Sequence, residues 1–122
     1  MKTHQYELID EKVFEHEFDN GLKLFVIPKP GFQKTYVTYT TQFGSLDNHF
    51  KPIGSQQFVE VPDGVAHFLE HKLFEKEDED LFTAFAEENA QANAFTSFDR
   101  TSYLFSATSN IESNIKRLLN MV

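Results

Sequence analysis

The stretch GVAHFLEHKLF, residues 64–74, brings together side chains that could hold and use a metal ion. His67 and His71 are four residues apart, and Glu70 directly precedes the second histidine. On a helix, such residues lie about 40° apart around the axis, because each residue advances by about 100°. Two imidazoles one turn apart can therefore meet the same ion.

The spacing H-x-x-E-H fits the chemistry of a hydrolytic zinc site. Imidazole is a good zinc ligand, and a catalytic zinc keeps three protein ligands and one position for water. Zinc lowers the pKa of that water, and a nearby carboxylate can accept its proton as a carbonyl is attacked. The spacing predicts His67 and His71 as metal ligands, Zn2+ as the cofactor and Glu70 as the catalytic base. The alternative is a pair of ordinary histidines on an amphipathic helix, although this composition gives only roughly 0.02 chance matches.

Composition restricts the class of protein that could carry this motif. The chain has 122 residues, 40% of them hydrophobic, which is enough for one modest core. Its net charge of −8 makes it a poor partner for nucleic acid or an anionic membrane. The absence of cysteine excludes disulfides and thiolate zinc sites. Neither a signal peptide nor a long apolar run is visible, so we expect a cytoplasmic protein.

The elements before the motif are predicted to be strands. Asn20-Gly21 lies between two apolar stretches and predicts a hairpin with strands at residues 13–18 and 22–27. The stretch KTYVTYTTQFGS alternates β-branched and aromatic residues, which is typical of a third strand, and it closes near Gly44. Residues 46–62 are rich in polar and turn residues and are predicted to be a loop.

The elements from the motif onward are predicted to be mainly helical. Asp63 is expected to cap a helix over residues 64–74, and a second helix is expected over residues 80–89. The stretch NAFTSFDRTSYLFSAT is typical of two strands that turn at Asp99-Arg100. A final helix opens with Ser109 and Glu112 in capping-box spacing.

The final helix carries an apolar stripe that continues to the last residue. The stripe consists of Ile111, Ile115, Leu118, Leu119 and Val122. From this pattern we expect a piece of a longer protein, with the stripe left uncovered. Exposed apolar surface and strand edges favour self-association, so we expect a homo- or hetero-oligomer.

Several stretches resemble the pitrilysin-type zinc metallopeptidases, the inverzincins. PDGVAHFLEHKLF is similar to the inverted zinc-binding motif of that family. DNGLKLFVIPKP resembles its N-terminal hairpin, and NAFTSFDRTSYLFS resembles the strand after its zinc helix. Within the family, the closest resemblance is to the YmfH-type zinc proteases of Gram-positive bacteria.

The resemblance implies a fold and a domain organisation. The fold is α+β, with an antiparallel-rich mixed sheet and two to three helices, as in a partial metallopeptidase domain of the mitochondrial processing peptidase type. Residues 1–122 correspond to the N-terminal part of one such domain. The remainder of that domain and a second, related domain are expected to lie outside these residues.

The resemblance also assigns roles to residues. It implies that His67 and His71 bind zinc and that Glu70 is the general base of an endopeptidase. It matches Asn93, Ala94, Phe95 and Thr96 with the family's edge strand, which receives an extended peptide substrate by strand addition. Backbone groups make that interaction, and a loop or turn position for Asn93 is the alternative.

The family's third zinc ligand is a glutamate that lies farther beyond His71 than this chain reaches. Glu112 is the best-placed downstream carboxylate, although the capping box would occupy it. Glu75, Glu77 and Glu79 are expected to form a solvated acidic face. The 122 residues alone are therefore expected to be inactive.

Other functions of the same fold are also considered. S-ribosylhomocysteine lyases share the inverted motif but complete their metal site with a cysteine, which this chain lacks. A non-catalytic partner subunit and a peptide-binding module remain as alternatives to the peptidase. An intact H-x-x-E-H motif argues against an inactive subunit.

Overall fold

The computed structural model describes residues Met1–Val122 as two compact units, Met1–Phe32 and Gln33–Val122. The first unit is a three-stranded antiparallel sheet in the order β1-β2-β3. Its strands are β1 (Lys2–Tyr6), β2 (Glu11–Glu17) and β3 (Lys23–Val26), with a 3-10 turn at Glu7–Ile9.

The predicted hairpin is confirmed in this first unit. The Phe18 N–H donates to the Leu22 carbonyl at 2.9 Å, which closes the turn between β2 and β3. Gly21 has a φ of 85°, a left-handed conformation that favours glycine. Strand β1 was not predicted, because its residues are polar and exposed and carry no apolar alternation.

The second unit contains a three-stranded sheet, three helices and two short ladders. Its elements are β4 (Thr35–Thr41), β5 (His49–Phe50), β6 (Val59–Glu60), α1 (Val65–Phe74), β7 (Glu75–Lys76), β8 (Glu79–Asp80), α2 (Leu81–Glu87), β9 (Ala90–Thr96), β10 (Thr101–Ala107) and α3 (Ile111–Met121). The main sheet has the order β4-β10-β9, while β5 pairs with β6 and β7 with β8. Every strand pairing is antiparallel.

The core of the second unit lies between one face of this sheet and the three helices. Strand β10 is central, and its side chains at Tyr103 and Phe105 are buried against Phe74 of α1 and Phe85 of α2. Phe85 and Phe105 are fully buried, with ring centroids 5.8 Å apart. Leu118 of α3 joins the same cluster. The two-layer arrangement confirms the predicted α+β class.

The start of α1 differs from the prediction. Gly64, with a φ of 86°, is the N-cap residue, and no side chain caps the helix. The Asp63 carboxylate instead accepts a hydrogen bond from Asn48 Nδ2 at 3.1 Å. The prediction that Asp63 caps the helix is therefore wrong, because a loop residue occupies that carboxylate.

The start of α3 also differs from the prediction. Its N-cap residue is Asn110 in a left-handed conformation, and no side chain caps the helix. The Ser109 hydroxyl accepts a hydrogen bond from Asn89 Nδ2 at 3.2 Å, and Glu112 pairs with Lys116 at 2.8 Å. The predicted capping box is therefore wrong, because both of its members bond elsewhere.

The apolar stripe of α3 is largely covered within the unit. Leu118 is buried, and Ile111 and Ile115 pack against the core at partial exposure. Leu119 and Val122 remain exposed at 49% and 40%. The expectation that the stripe is left uncovered is therefore wrong for Ile111, Ile115 and Leu118, since α3 packs this side against the sheet. No helix in the structure has the length and hydropathy needed to cross a lipid bilayer.

Candidate metal centre and peptide-binding edge

Helix α1 places the two histidines of the motif side by side. Nε2 of His67 and Nε2 of His71 are 2.9 Å apart, and the two rings are stacked with centroids 4.9 Å apart. Both side chains are exposed, while Ala66 and Phe74 of the same helix are buried. The helix therefore presents its imidazoles to solvent and Ala66 and Phe74 to the core.

The two imidazoles fit two corners of a tetrahedral zinc site. Zinc–nitrogen bonds of about 2.0–2.1 Å separate two tetrahedral ligand atoms by roughly 3.3 Å. The observed 2.9 Å between the Nε2 atoms of His67 and His71 is close to that spacing. Small side-chain rotations would open it, and exposure of both rings leaves access for the ion.

The chain brings no third ligand to this pair. No group of three or more histidine, aspartate and glutamate residues lies close enough to hold a metal ion. Glu112 pairs with Lys116, and Glu75 pairs with Lys72 at 2.9 Å. Glu77 and Glu79 are exposed, as expected for a solvated acidic face.

The other three histidines lie in different surroundings. His4 Nε2 is 2.8 Å from the Glu15 carboxylate, and this hydrogen bond lowers the pKa of Glu15. His16 packs its ring edge-on to Phe18, and His49 stacks on Phe58. Apart from His67 and His71, no two histidine rings meet in the structure.

Glu70 links the helix to the sheet. Its side chain is half-buried, and its Oε2 atom accepts a hydrogen bond from the Thr96 hydroxyl at the end of β9. Burial raises the pKa of the nearby Tyr103 phenol, and the negative charge of Glu70 raises it further. The predicted base and part of the predicted substrate strand are thus in direct contact.

Tyr103 is a neighbour of the site that the sequence reasoning missed. Tyr103 is buried on the core side of β10, and the alternation in TSYLFSA is the pattern that indicates this face. The register sets Tyr103 directly opposite Ala94 of β9. That alternation was the only signal available for its position.

Strand β9 lies at an edge of the sheet, with β10 on one side and no strand on the other. Successive side chains of a strand point to opposite faces, so the four predicted substrate residues lie on two faces of β9. Ala94 and Thr96 are half-buried on the side of the helices, while Asn93 and Phe95 are exposed. The Asn93 side chain accepts a hydrogen bond from the Ala94 N–H at 2.8 Å. Asn93 therefore belongs to a strand and not to a turn.

Comparisons with protein families and with individual proteins point to the same family of peptidases. The model of the family described as "Insulinase (Peptidase family M16)" matches residues 52–122. The chain is 53% identical over 122 residues to "Uncharacterized zinc protease YmfH" of Bacillus subtilis (strain 168), covering all of this chain and 28% of that protein.

A solved structure agrees with this result. The crystal structure of an M16-like peptidase from Alicyclobacillus acidocaldarius matches with a TM-score of 0.81 and 40% identity, over 91% of this chain and 26% of that one. The chain thus spans about a quarter of the length of these relatives, 28% and 26%. The chain belongs to the insulinase family of peptidases, M16.

Proposed function

We propose that these residues provide the zinc-binding helix and the peptide-binding edge of a zinc-dependent endopeptidase. The observation that carries the proposal is the 2.9 Å approach of the His67 and His71 Nε2 atoms, with Glu70 of the same helix bonded to Thr96. The residues proposed as metal donors and base lie in the same compact unit as the edge strand β9. The name of the relative YmfH, a zinc protease, supports this reading.

In the proposed reaction the peptide substrate lies along the outer edge of β9. Its main chain pairs with the unpaired N–H and C=O groups of that edge, so selectivity for side chains is low. The Asn93 side chain, which accepts from the Ala94 N–H, would give up that bond to the incoming strand. The rest of the edge offers its groups directly.

Glu70 acts as the general base in this proposal. Zinc held by His67 and His71 would supply Lewis-acid activation of a water molecule. Glu70 takes the proton from the attacking water as the water oxygen bonds to the peptide carbonyl carbon, and it passes that proton to the leaving amine nitrogen as the C–N bond breaks. The Thr96 hydroxyl bonds to Oε2, and we assign the proton exchange to Oε1, which has no hydrogen bond from Thr96.

We further propose that the third zinc ligand comes from outside residues 1–122, in a longer protein. This chain supplies a pair of ligands, whereas a catalytic zinc needs three protein ligands. The relatives are about four times as long as the matched region, which covers 28% and 26% of them. We also propose that copies of the longer protein associate through β4, the edge of the sheet opposite to the proposed substrate edge.

The test compares Glu70→Gln with His71→Ala in the longer protein, measuring bound zinc and hydrolysis of an unstructured peptide. Glu70→Gln should keep zinc and lose hydrolysis by about 10²–10⁴-fold, since an amide cannot accept the proton. His71→Ala should lose both. Equal loss of zinc in the two variants would make Glu70 a ligand and reject its role as base.

A peptide-binding module without turnover is the second candidate, and the free edge of β9 is the observation that favours it. Peptide bound with micromolar affinity by the zinc-loaded protein, with no cleavage over hours, would support that reading over the peptidase. Cleavage that requires Glu70 would reject it.

A further inference from the structure

We propose that Thr96 is a positioning residue that fixes the carboxylate of Glu70 for proton transfer, an inference that rests on the proposed function. The Thr96 hydroxyl donates to Glu70 Oε2 across the gap between β9 and α1. A hydroxyl donating to a carboxylate makes a charge-assisted hydrogen bond, one of the stronger kinds in proteins. It holds one carboxylate oxygen and leaves the other for the water.

The hydroxyl of Thr96 is itself held in place. Thr96 is β-branched, which restricts its χ1 angle. Its strand partner is Thr101, which is 1% exposed and donates its own hydroxyl to the Phe43 carbonyl at 2.7 Å. The end of β9 is therefore anchored to the central strand and to the segment after β4.

The backbone just beyond Thr96 is anchored as well. The Ser97 N–H donates to the Arg100 carbonyl at 2.8 Å, and the Ser97 carbonyl accepts from the Ser45 N–H at 2.9 Å. These bonds fix the β9–β10 turn from two directions. The position of the Thr96 hydroxyl is thus set by the sheet and not by the helix that carries Glu70.

Small side chains on β9 allow this contact to form. Ala90, Ala92 and Ala94 lie on the same face as Thr96, and helix α1 packs against this strand. A short threonine side chain can reach Glu70 only where the helix comes close to the sheet. The histidines are positioned by the helix alone, whereas Glu70 is positioned by the helix and the sheet together.

The direction of the Thr96 side chain favours a role in positioning Glu70 over a direct contact with the peptide substrate. Thr96 is half-buried and its hydroxyl points at Glu70, while a substrate strand would meet the backbone at the outer edge of β9. Removal of the hydroxyl should therefore lower kcat and leave KM unchanged. A hydroxyl that contacted the substrate would change KM.

The test uses the longer protein, after the wild type has been shown to cleave a peptide. Thr96→Val keeps the shape of the side chain and removes the donor, and Thr96→Ser keeps the donor. We expect Thr96→Val to lower kcat by roughly 10- to 100-fold, part of what a positioned base contributes. KM and zinc content should stay at wild-type values, and Thr96→Ser should restore kcat.

A matched control comes from the same sheet. Thr40 of β4 shares a hydrogen bond with the Ser102 hydroxyl at 2.7 Å and lies away from Glu70 on the opposite face. Thr40→Val removes the same atom from the same kind of strand and should leave kcat unchanged. If Thr96→Val fails to fold, Thr96→Ala removes the donor with less crowding and should show the same loss.

Two further measurements show whether Thr96 acts through Glu70. In a Glu70→Gln background, Thr96→Val should cause no additional loss of kcat. In a crystal structure of Thr96→Val, the Glu70 carboxylate should leave its wild-type position, and in Thr96→Ser it should keep that position. The crystallographic result is independent of turnover, so it decides the contact even if the wild type cleaves no peptide and the proposed function fails.

Several results would overturn the proposal. A Thr96→Val variant that keeps the wild-type kcat, or that raises KM alone, would show that the hydroxyl does not position the base. Losses of kcat that multiply when Thr96→Val and Glu70→Gln are combined would show that the two residues act independently. A Glu70 carboxylate that keeps its position in the Thr96→Val crystal structure would show that the hydrogen bond does not hold it.

Discussion

Gly44 occupies a position where no side chain fits, and replacing it with alanine should destabilise the second unit. A Cβ atom at Gly44 would lie 2.5 Å from the backbone nitrogen of Arg100 and 2.5 Å from the carbonyl group of Phe98. Contacts below 3.0 Å are essentially never seen for real Cβ atoms, so the backbone of the β9–β10 turn would have to move. That turn directly follows Thr96.

The loss of stability in Gly44→Ala can be calculated from the contacts that break when the β9–β10 turn moves. The Ser45 N–H donates to the Ser97 carbonyl at 2.9 Å, and the Leu46 N–H donates to the Phe98 carbonyl at 3.0 Å. Losing both bonds costs about 0.5–1.5 kcal/mol each, and overpacking itself costs about 1–3 kcal/mol. Gly44→Ala should therefore lower the free energy of unfolding by about 2–6 kcal/mol, a large part of the usual total of about 5–15 kcal/mol.

Urea unfolding monitored by circular dichroism gives the free energies, with Gly54→Ala as the control. Gly54 has a φ of 80° and nothing within 4 Å of a Cβ, so only backbone strain of about 1–2 kcal/mol opposes alanine there. If Gly44→Ala costs no more than Gly54→Ala, close packing is not the reason for glycine at position 44, and the reasoning fails.

Three other changes have defined outcomes. Asp80→Ala removes the helix cap that accepts from the Phe82 N–H at 3.0 Å, and it should lower the free energy of unfolding in urea by about 1 kcal/mol. The control is Asp78→Ala, which changes an exposed residue before the helix and should leave that free energy unchanged. The hydrogen bond from the Ser113 hydroxyl, and to a smaller extent that from Arg117, lowers the pKa of Glu88 below its ordinary value of 4.5. The ionised Glu88 therefore stabilises the fold fully above pH 4.5, and this contribution is lost as the pH falls further. The stability deficit of Glu88→Gln should accordingly shrink below pH 4.5, and a deficit constant with pH would contradict this. In the longer protein, the proposed function predicts that removal of zinc with a chelator abolishes hydrolysis. The far-ultraviolet circular dichroism should stay unchanged, because the hydrophobic core contains neither histidine of the motif.

Local patterns predicted the parts of the fold that local interactions decide. Asn20-Gly21 marked the first hairpin, because a left-handed glycine is what its turn requires. The helical spacing of His67 and His71 correctly predicted their shared face. Alternation in NAFTSFDRTSYLFS predicted β9 and β10, since one face of each strand meets the core.

Contacts between distant residues decided what local patterns could not predict. Asp63 had the right type and place for a helix cap, but Asn48, 15 residues away, bonds its carboxylate. The bond from Thr96 to Glu70 spans 26 residues and depends on how closely α1 approaches β9. Strand β1 is polar and exposed, so only its backbone pairing with β2 defines it.

Zinc titration of the chain, followed by NMR of the histidine rings, tests the proposed metal site most directly. Only His67 and His71 have their Nε2 atoms at a spacing that suits one ion, 2.9 Å. Their imidazole resonances should shift together and reach saturation at the same zinc concentration. His4, which is bonded to Glu15, and His16 should not respond. Stationary signals from His67 and His71 while His4 or His16 shifts would contradict the assignment of the metal site.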